Sequence, residues 1–147
     1  MSEDSRLEDI EAIKQLQGRY FRTLDTKDWT EYAGLFTPDA VIDTTPAGGP
    51  RFAGIDEFVK DHLIPTMQET ITVHHGHTPE IQFPTPRTAT AIWAMEGHAW
   101  FKSGRHFHDW GHYHETYELV DDTWKITSLR LTLLNGVWDG PEDTDQL

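Results

Sequence analysis

The stretch from Asp9 to Trp29, D-I-E-A-I-K-Q-L-Q-G-R-Y-F-R-T-L-D-T-K-D-W, lies at the centre of the predicted fold. Its apolar residues recur at steps of three or four, which is the spacing of one face of an amphipathic helix: Ile10, Ile13, Leu16, Tyr20 and Leu24. We expect a helix from near Ser5 to about Thr26. Asp25 directly follows this apolar stripe, and a carboxylate there is costly to bury without a partner.

Length and composition indicate one globular domain. The 147 residues suffice for a hydrophobic core, and 12% of them are aromatic. A formal net charge of −13 without a basic stripe argues against nucleic-acid binding, and no apolar run approaches the ~20 residues of a membrane span. Cysteine is absent, which excludes disulfides and thiolate chemistry. The acidic N-terminus, M-S-E-D-S-R, does not resemble a signal peptide, so we expect a soluble, cytoplasmic protein without membrane partners.

Shorter helices and strands are predicted before residue 70. A second helix is expected from Trp29 to Phe36, ended by Thr37-Pro38-Asp39, and residues 40–44 and 51–53 favour short strands. A third helix is expected over residues 55–64, with Pro65 ending it. Gly18 interrupts the first helix, and a glycine in that position is typical of close packing.

From residue 70 the pattern changes to period two, which is typical of strands. Four strands joined by short turns are expected over residues 70–83, 88–101, 107–120 and 124–134, as an antiparallel meander. We predict a single domain over 1–147, with a core of about 8–134 and a frayed tail over 135–147. The fold class is α+β: a cone-shaped barrel in which N-terminal helices pack on a curved, mainly antiparallel sheet, whose mouth forms a pocket.

Histidines supply a candidate partner for Asp25. In the run Val73-His74-His75-Gly76-His77, neighbours face opposite sides of a strand, so His74 and His75 cannot both face the interior. A carboxylate that accepts from one imidazole nitrogen leaves the other nitrogen as a base, so Asp25 and His74 would form an acid–base pair. The Tyr20 hydroxyl could polarise a carbonyl or assist a leaving hydroxyl. The alternatives are a surface carboxylate for Asp25 and a core-edge aromatic with a solvated tip for Tyr20.

A second histidine group lies further along the chain. His108, His112 and His114 share one strand face, with His106 if the strand reaches it, and the opposite face carries aromatic residues typical of an interior. We expect the histidine face to be solvated or to form a subunit contact in a homodimer or homotrimer. His98 could join either side.

Metal and nucleotide chemistry are weakly indicated. Several imidazoles with Glu80 or Glu115 could hold zinc, iron or manganese, but the spacing of a cupin, H-x-H with a later glutamate and glycines, is missing. Neither a Gly-rich phosphate loop nor a G-x-S-x-G motif is present. We therefore expect no metal and no cofactor.

Taken together, these motifs resemble the nuclear transport factor 2-like superfamily, in its SnoaL-like branch, over residues 8–134. The first helix motif, V-H-H-G-H-T-P-E-I at 73–81 and T-A-T-A-I-W-A-M-E at 88–96 are similar to bile acid 7α-dehydratases, and Y-E-L-V-D-D-T-W-K-I is general for the branch. The branch also includes scytalone dehydratases, a dehydrochlorinase, polyketide cyclases and proteins without known activity. The resemblance implies a catalytic tyrosine, aspartate and histidine at Tyr20, Asp25 and His74.

The chain departs from the bile acid enzymes at two positions. Those enzymes carry an arginine nine residues after the tryptophan of the last strand, where this chain has Leu133, and Arg130 lies on the other face of a regular strand. They also carry an aspartate where this chain has Gly97. The resemblance thus implies the acid–base set but not a bile acid substrate.

The sequence therefore predicts a cofactor-independent dehydratase-type lyase or isomerase that acts on a small hydrophobic substrate, such as a polycyclic phenolic, steroid-like or polyketide-like molecule. Residues expected to bind the substrate are Phe52, Trp93, Met95, Trp110, Tyr113 and Arg130. Three alternatives stay open: a non-catalytic binding protein, a metal-dependent oxygenase, and an accessory subunit akin to the small subunits of ring-hydroxylating dioxygenases.

Overall fold

Two helices open the chain in the computed structural model, which describes residues 2–142. They are α1 (Glu3–Thr26) and α2 (Trp29–Gly34), and a strand pair follows, β1 (Phe36–Asp43) and β2 (Arg51–Ala53), linked through a 3-10 turn at Thr45–Ala47. A third helical region consists of α3 (Ile55–Phe58), a π-helical segment (Val59–Leu63) and α4 (Ile64–Met67). Four long strands complete the fold: β3 (Ile71–Thr85), β4 (Thr88–Trp100), β5 (His106–Val120) and β6 (Thr123–Asp139).

The strands form one six-stranded sheet in the order β2-β1-β6-β5-β4-β3. Strands β3 to β6 make the predicted antiparallel meander, while β1 runs parallel to β6. The apolar stripe of α1 packs on the inner face of this curved sheet, where Leu16 and Leu24 join a core that includes Trp93 and Ile126. The predicted α+β cone is confirmed. In the described part of the chain, no helix is long and apolar enough to cross a membrane.

Local signals explain where α1 begins and ends. The Ser2 side chain caps its start by accepting from the Ser5 backbone N–H at 3.2 Å, and the acidic first turn suits the helix dipole. Lys27 ends the helix in the left-handed region, with φ 62°, and its N–H donates to the carbonyls of Thr23 and Leu24. Asp25 is thereby held in the last turn. A Cβ added to Gly18 would have no neighbour within 4 Å, so the predicted close packing there was wrong.

The predicted element boundaries need three corrections. The second helix stops at Gly34, so Thr37-Pro38-Asp39 belongs to β1 rather than ending a helix. The third helical region continues past Pro65 to Met67. Its wider π-helical turns end at Leu63, two residues before Pro65, which has no backbone N–H to donate. Strand β6 extends to Asp139, so residues 135–139 are not a frayed tail.

Aromatic stacking explains the longer β6. Trp138 pairs with Phe107 and stacks on it with ring centroids 4.6 Å apart, while the Arg105 guanidinium lies 4.4 Å from the centre of a Trp138 ring. These contacts cover about half of Trp138, and the Gly- and Asp-rich composition of the segment gives no sign of them. Residues 143–147 of the predicted tail lie outside the described residues.

The two faces of the sheet have different compositions. Trp93, Met95 and Tyr113 are at most 5% exposed, which identifies theirs as the inner face. Residues alternate along each strand, so Glu96 and His98 point to the outer face. Strand β3 stays in regular register through His77, and its irregularity follows at Thr78, with φ 36°. His74 is therefore on the inner face, and His75 and His77 are together on the outer one.

Candidate active site

The end of α1 and the start of β3 bring Asp25 and His74 into contact. Asp25 Oδ1 lies 2.7 Å from His74 Nδ1 and accepts from the Thr72 hydroxyl at 2.9 Å, while Oδ2 accepts from the His74 backbone N–H at 2.9 Å. These donors offset the cost of a carboxylate that is 21% exposed and that opposes the dipole of α1. The contact predicted from the sequence is present, and the alternative of a free surface carboxylate does not hold.

This geometry has a chemical consequence for His74. When Nδ1–H donates to Asp25, Nε2 carries the lone pair, and the ring is held in one tautomer and one orientation. His74 is 17% exposed, so this nitrogen lies at the boundary between the interior and solvent. The pair has the arrangement of a general base with an orienting carboxylate.

A lysine supports the pair from the outside. Lys27 Nζ donates to the Thr72 hydroxyl at 2.8 Å, and that hydroxyl donates onward to Asp25. Burial lowers the pKa of Lys27, and the nearby Asp25 charge raises it. The residue that ends α1 thus also holds the carboxylate in place. Sequence reasoning missed Lys27, since its position marks only the end of the helix.

Asp109 is a further candidate that the sequence analysis missed. His74, Gly97 and Asp109 form one row across β3, β4 and β5, with Gly97 in the middle. A Cβ on Gly97 would stand 2.7 Å from Asp109 Oδ1 and 3.7 Å from His74 Nε2, so both groups border the space above the glycine. Burial raises the pKa of Asp109, whereas the charges of His74 and His108 lower it. A carboxyl group with a raised pKa beside a base is suited to donate a proton.

The row bears on the departure noted at Gly97. The bile acid enzymes that the sequence resembles have an aspartate at that position, and here the cross-strand neighbour Asp109 places its carboxylate beside it. The signal was the H-x-H-D-W order of β5, which puts Asp109 on the opposite face from His108. Register between β4 and β5 was needed to bring Asp109 opposite Gly97.

Tyr20 lies deep in the interior. It is 4% exposed, and its ring contacts those of Tyr32 at 5.4 Å and Tyr113 at 5.7 Å. Burial raises the pKa of each of these three tyrosines, which keeps their hydroxyls as donors. The expected alternative of a solvated tip does not hold. The Asp109 charge also raises the pKa of Tyr113, and the two residues lie on the same face of β5.

The remaining predicted substrate-binding residues separate into two groups. Trp93 and Met95 lie on the inner face, and Phe52 packs beside the third helical region, 5.6 Å from the Phe58 ring. Their binding roles stay predictions. Trp110 lies on the outer face, where it contacts the His108 ring at 3.8 Å, and Arg130 is exposed and pairs with His114. The expectation that Trp110 lines the interior was wrong, because it is one strand position out of phase with the inner face. Arg130 lies on the outer side, as its place on the other face of a regular strand indicated.

Glu115 occupies the floor of the interior and is 2% exposed. Tyr117 donates to its Oε2, and Gln17, with its amide nitrogen directed at the carboxylate, donates to Oε2 at 2.7 Å and to Oε1 at 3.1 Å. Burial raises the pKa of Glu115 from 4.5 to about 7, and these hydrogen bonds lower it. Because its partners are Tyr117 and Gln17 rather than histidines, Glu115 does not form the metal site considered from the sequence.

Comparisons with known proteins agree on one family. The SnoaL-like domain family matches residues 5–130. A protein of Gibberella zeae, Probable cyclase FGR4, is 31% identical over an alignment of 136 positions that covers 83% of this chain and 89% of that protein.

Two solved structures show the same fold. A scytalone dehydratase-like protein from Novosphingobium aromaticivorans superposes with a TM-score of 0.85 at 23% identity, covering 96% of this chain and 94% of that one. The hexachlorocyclohexane dehydrochlorinase LinA-type3 from Novosphingobium barchaimii superposes with a TM-score of 0.81 at 17% identity, covering 96% and 97%.

Proposed function

Since this chain belongs to the SnoaL-like domain family, a family of small-molecule-processing enzymes, we propose that it is a cofactor-independent dehydratase-type lyase that works by acid–base catalysis. The observation that carries the proposal is the contact between His74 Nδ1 and Asp25 at 2.7 Å, with Asp109 on the far side of Gly97. A paired base and a second carboxyl group around one small space suit the removal of a proton and a hydroxyl from neighbouring carbons.

The proposed elimination begins at His74. Its Nε2 takes a proton from a carbon next to a carbonyl, and Asp25 stabilises the imidazolium that forms. The electron pair of the broken C–H bond forms the new double bond, while protonated Asp109 gives its proton to the departing hydroxyl, which leaves as water. Transfer of the proton from His74 to Asp109 restores both groups. Tyr20, or Tyr113 whose ring it contacts, donates to the enolate oxygen or to the leaving hydroxyl.

The character of the interior supports a small hydrophobic substrate. Trp93, Met95 and Tyr113 are apolar or aromatic and face the side of the sheet that carries His74. A polycyclic phenolic, steroid-like or polyketide-like molecule bound beside His74 would contact apolar side chains of this kind. The same base also suits an isomerisation, in which the abstracted proton returns to another carbon.

Cyclisation is a second candidate reaction. The Gibberella zeae relative at 31% identity is named as a cyclase, and proton abstraction next to a carbonyl creates the carbon nucleophile that closes a ring. It differs from dehydration in its product, since ring closure alone conserves the mass of the substrate.

The test is turnover of a panel of hydroxylated polycyclic ketones, followed by mass spectrometry. Loss of one water supports dehydration, and an isomeric product supports cyclisation or isomerisation. His74→Ala should lower kcat by roughly 10²–10⁴-fold. His75→Ala is the matched control, because His75 is the next residue of the same strand and faces the outer side.

Two results would contradict the proposal. One is a folded His74→Ala protein with undiminished turnover. The other is saturable binding of panel compounds by the wild-type protein with no product, which would favour the non-catalytic binding protein. Co-purification with a large iron–sulfur protein would favour the accessory subunit.

A further inference from the structure

The outer face of the sheet carries a second group of chemically active side chains, which we call the outer-face cluster: Glu96, His98 and His108. His98 on β4 lies directly opposite His108 on β5, and Glu96 is two residues before His98 on the same face. One ligand atom from each of the three side chains lies within 4.8 Å of the others. Residues from two paired strands thus converge on one point.

The state of His108 indicates what this point could hold. Its Nε2 atom is shielded from solvent, yet within the described structure it has no hydrogen-bond partner. The nearest carboxylate oxygen, Glu96 Oε2, is 3.6 Å away, which is too long for a hydrogen bond. Two ligands of a tetrahedral ion with bonds of roughly 2.0–2.1 Å stand about 3.3 Å apart, which is close to this separation. The His98 and His108 rings stack with centroids 3.6 Å apart, so one of the two imidazoles has to rotate to direct its nitrogen at the ion.

Neighbouring side chains hold the other two ligands in place. His77 Nε2 lies 3.1 Å from Glu96 Oε1, which leaves Oε2 directed at His108. His98 Nδ1 lies 2.7 Å from His106 Nε2, and when Nδ1–H is the donor, Nε2 of His98 carries the lone pair that a metal requires. Ligands that are oriented by such second partners are typical of metal sites in proteins.

We propose that the outer-face cluster binds one divalent transition-metal ion per chain, with zinc as the ion that it fits best. Two imidazoles and one carboxylate favour zinc or its neighbours over magnesium and calcium, which prefer oxygen ligands alone. Three protein ligands leave a fourth position for water. Glu96 and His77 border a cavity of about 280 Å³ that also contacts Trp110 and Leu134, and this cavity provides room for that position.

The site is separate from the proposed active site. Gly97 lies between Glu96 and His98 in the chain and faces the opposite side of the sheet, toward His74. The ion would therefore join β4 to β5 without touching the acid–base groups. Its expected effect is on the stability of the folded chain.

The test is calorimetric titration of zinc chloride into the untagged full chain after treatment with a chelator. We expect one ion per chain, and at least 100-fold weaker binding for Glu96→Gln and for His108→Ala. His77→Ala, which removes an orienting partner, should weaken binding about 10-fold. At a free zinc concentration 100 times Kd, the Tm of the wild-type chain should rise by roughly 5–10 °C, and that of His108→Ala should not.

His114→Ala is the matched control, because His114 lies on the same strand and face as His108 but outside both the cluster and the cavity lining. It should bind zinc as the wild type does. Equal loss in His114→Ala and His108→Ala would overturn the proposal, as would the lack of saturable binding by the wild type. Comparable binding of magnesium or calcium would also overturn it. A stoichiometry of less than one ion per chain, together with a doubled or tripled molecular mass of the protein, would do so as well.

Discussion

At the scale of single residues, Gly97 matters because its lack of a side chain leaves space between His74 and Asp109. His74 and Asp109 flank it in the same row of the sheet, and a methyl group there would stand 2.7 Å from Asp109 Oδ1. Such a distance is too short for an unrelaxed contact, so either the carboxylate or the strand would have to move. The substrate atoms between base and acid would occupy this same space.

We therefore expect Gly97→Ala to lower kcat/KM by at least about 10-fold, since small displacements of reacting groups are costly. Asp109→Asn should lower kcat by roughly 10²–10⁴-fold, because the amide keeps the shape but cannot donate the proton. Steady-state kinetics on the substrate found by the panel is the measurement.

Gly18→Ala serves as the control for these variants. Gly18 is exposed in α1 with no neighbour within 4 Å of an added Cβ, so the change should leave kcat/KM unchanged and stabilise the chain by ~1 kcal/mol. Full activity of both Gly97→Ala and Asp109→Asn would show that the row is not part of the active site.

At the scale of elements, the β5–β6 hairpin depends on a two-residue turn. Asp121 and Asp122 have φ values of 49° and 61°, and Val120 pairs with Thr123 across them. Positive φ at both central residues defines the turn that matches the twist of a hairpin, and it favours Asn or Asp followed by glycine. Here the second position carries a side chain, so the turn is strained.

Asp122→Gly should stabilise the protein by roughly 0.5–1 kcal/mol, because glycine adopts this backbone conformation without steric cost. Thermal unfolding should show a Tm higher by about 2–4 °C. Glu118→Gly, which also removes a negative charge but lies within β5, should lower the Tm instead. A fall in Tm for Asp122→Gly would mean that its side chain stabilises the turn.

At the scale of the whole molecule, Glu115 links folding to pH. Burial raises its pKa from 4.5 to about 7, so the folded chain holds this proton more tightly than the unfolded chain does. The stabilisation is fully present below pH 4.5 and is lost as pH rises through 7. The contribution of Glu115 to the free energy of unfolding differs by roughly 3 kcal/mol between these two pH limits.

Glu115→Gln should abolish this contribution. The Gln17 amide can rotate to match the new side chain and Tyr117 can still donate to its oxygen, so the hydrogen bonds survive without a titrating group. Urea unfolding between about pH 4.5 and 7.5 should show wild-type stability falling relative to that of Glu115→Gln. The exposed Glu118→Gln on the same strand should follow the wild type, and parallel curves for all three proteins would contradict the assignment.

The outer face also bears on assembly. Ile92 and Trp100 are 37% and 40% exposed there, beside the histidines of β5. We propose, as the sequence suggested, that the chain forms a homodimer or homotrimer through this face.

By itself, the sequence determined the order and nature of the main elements and predicted the contact between Asp25 and His74. Helical spacing defined α1, alternation defined four strands, and the resemblance of the motifs pointed to Asp25 and His74. These features are local, because periodicity and turn residues act within a few positions of the chain.

Only the tertiary structure decided which side chains meet across strands. Asp109 beside Gly97, the outer position of Trp110 and the convergence of Glu96 with His98 and His108 all depend on the register of β4 and β5. A slip of one residue would exchange the two faces of a strand, and no local pattern specifies register that closely. The contact between Asp25 and His74 could be predicted from the sequence. The groups around this pair come together only because the strands of the sheet align in one register.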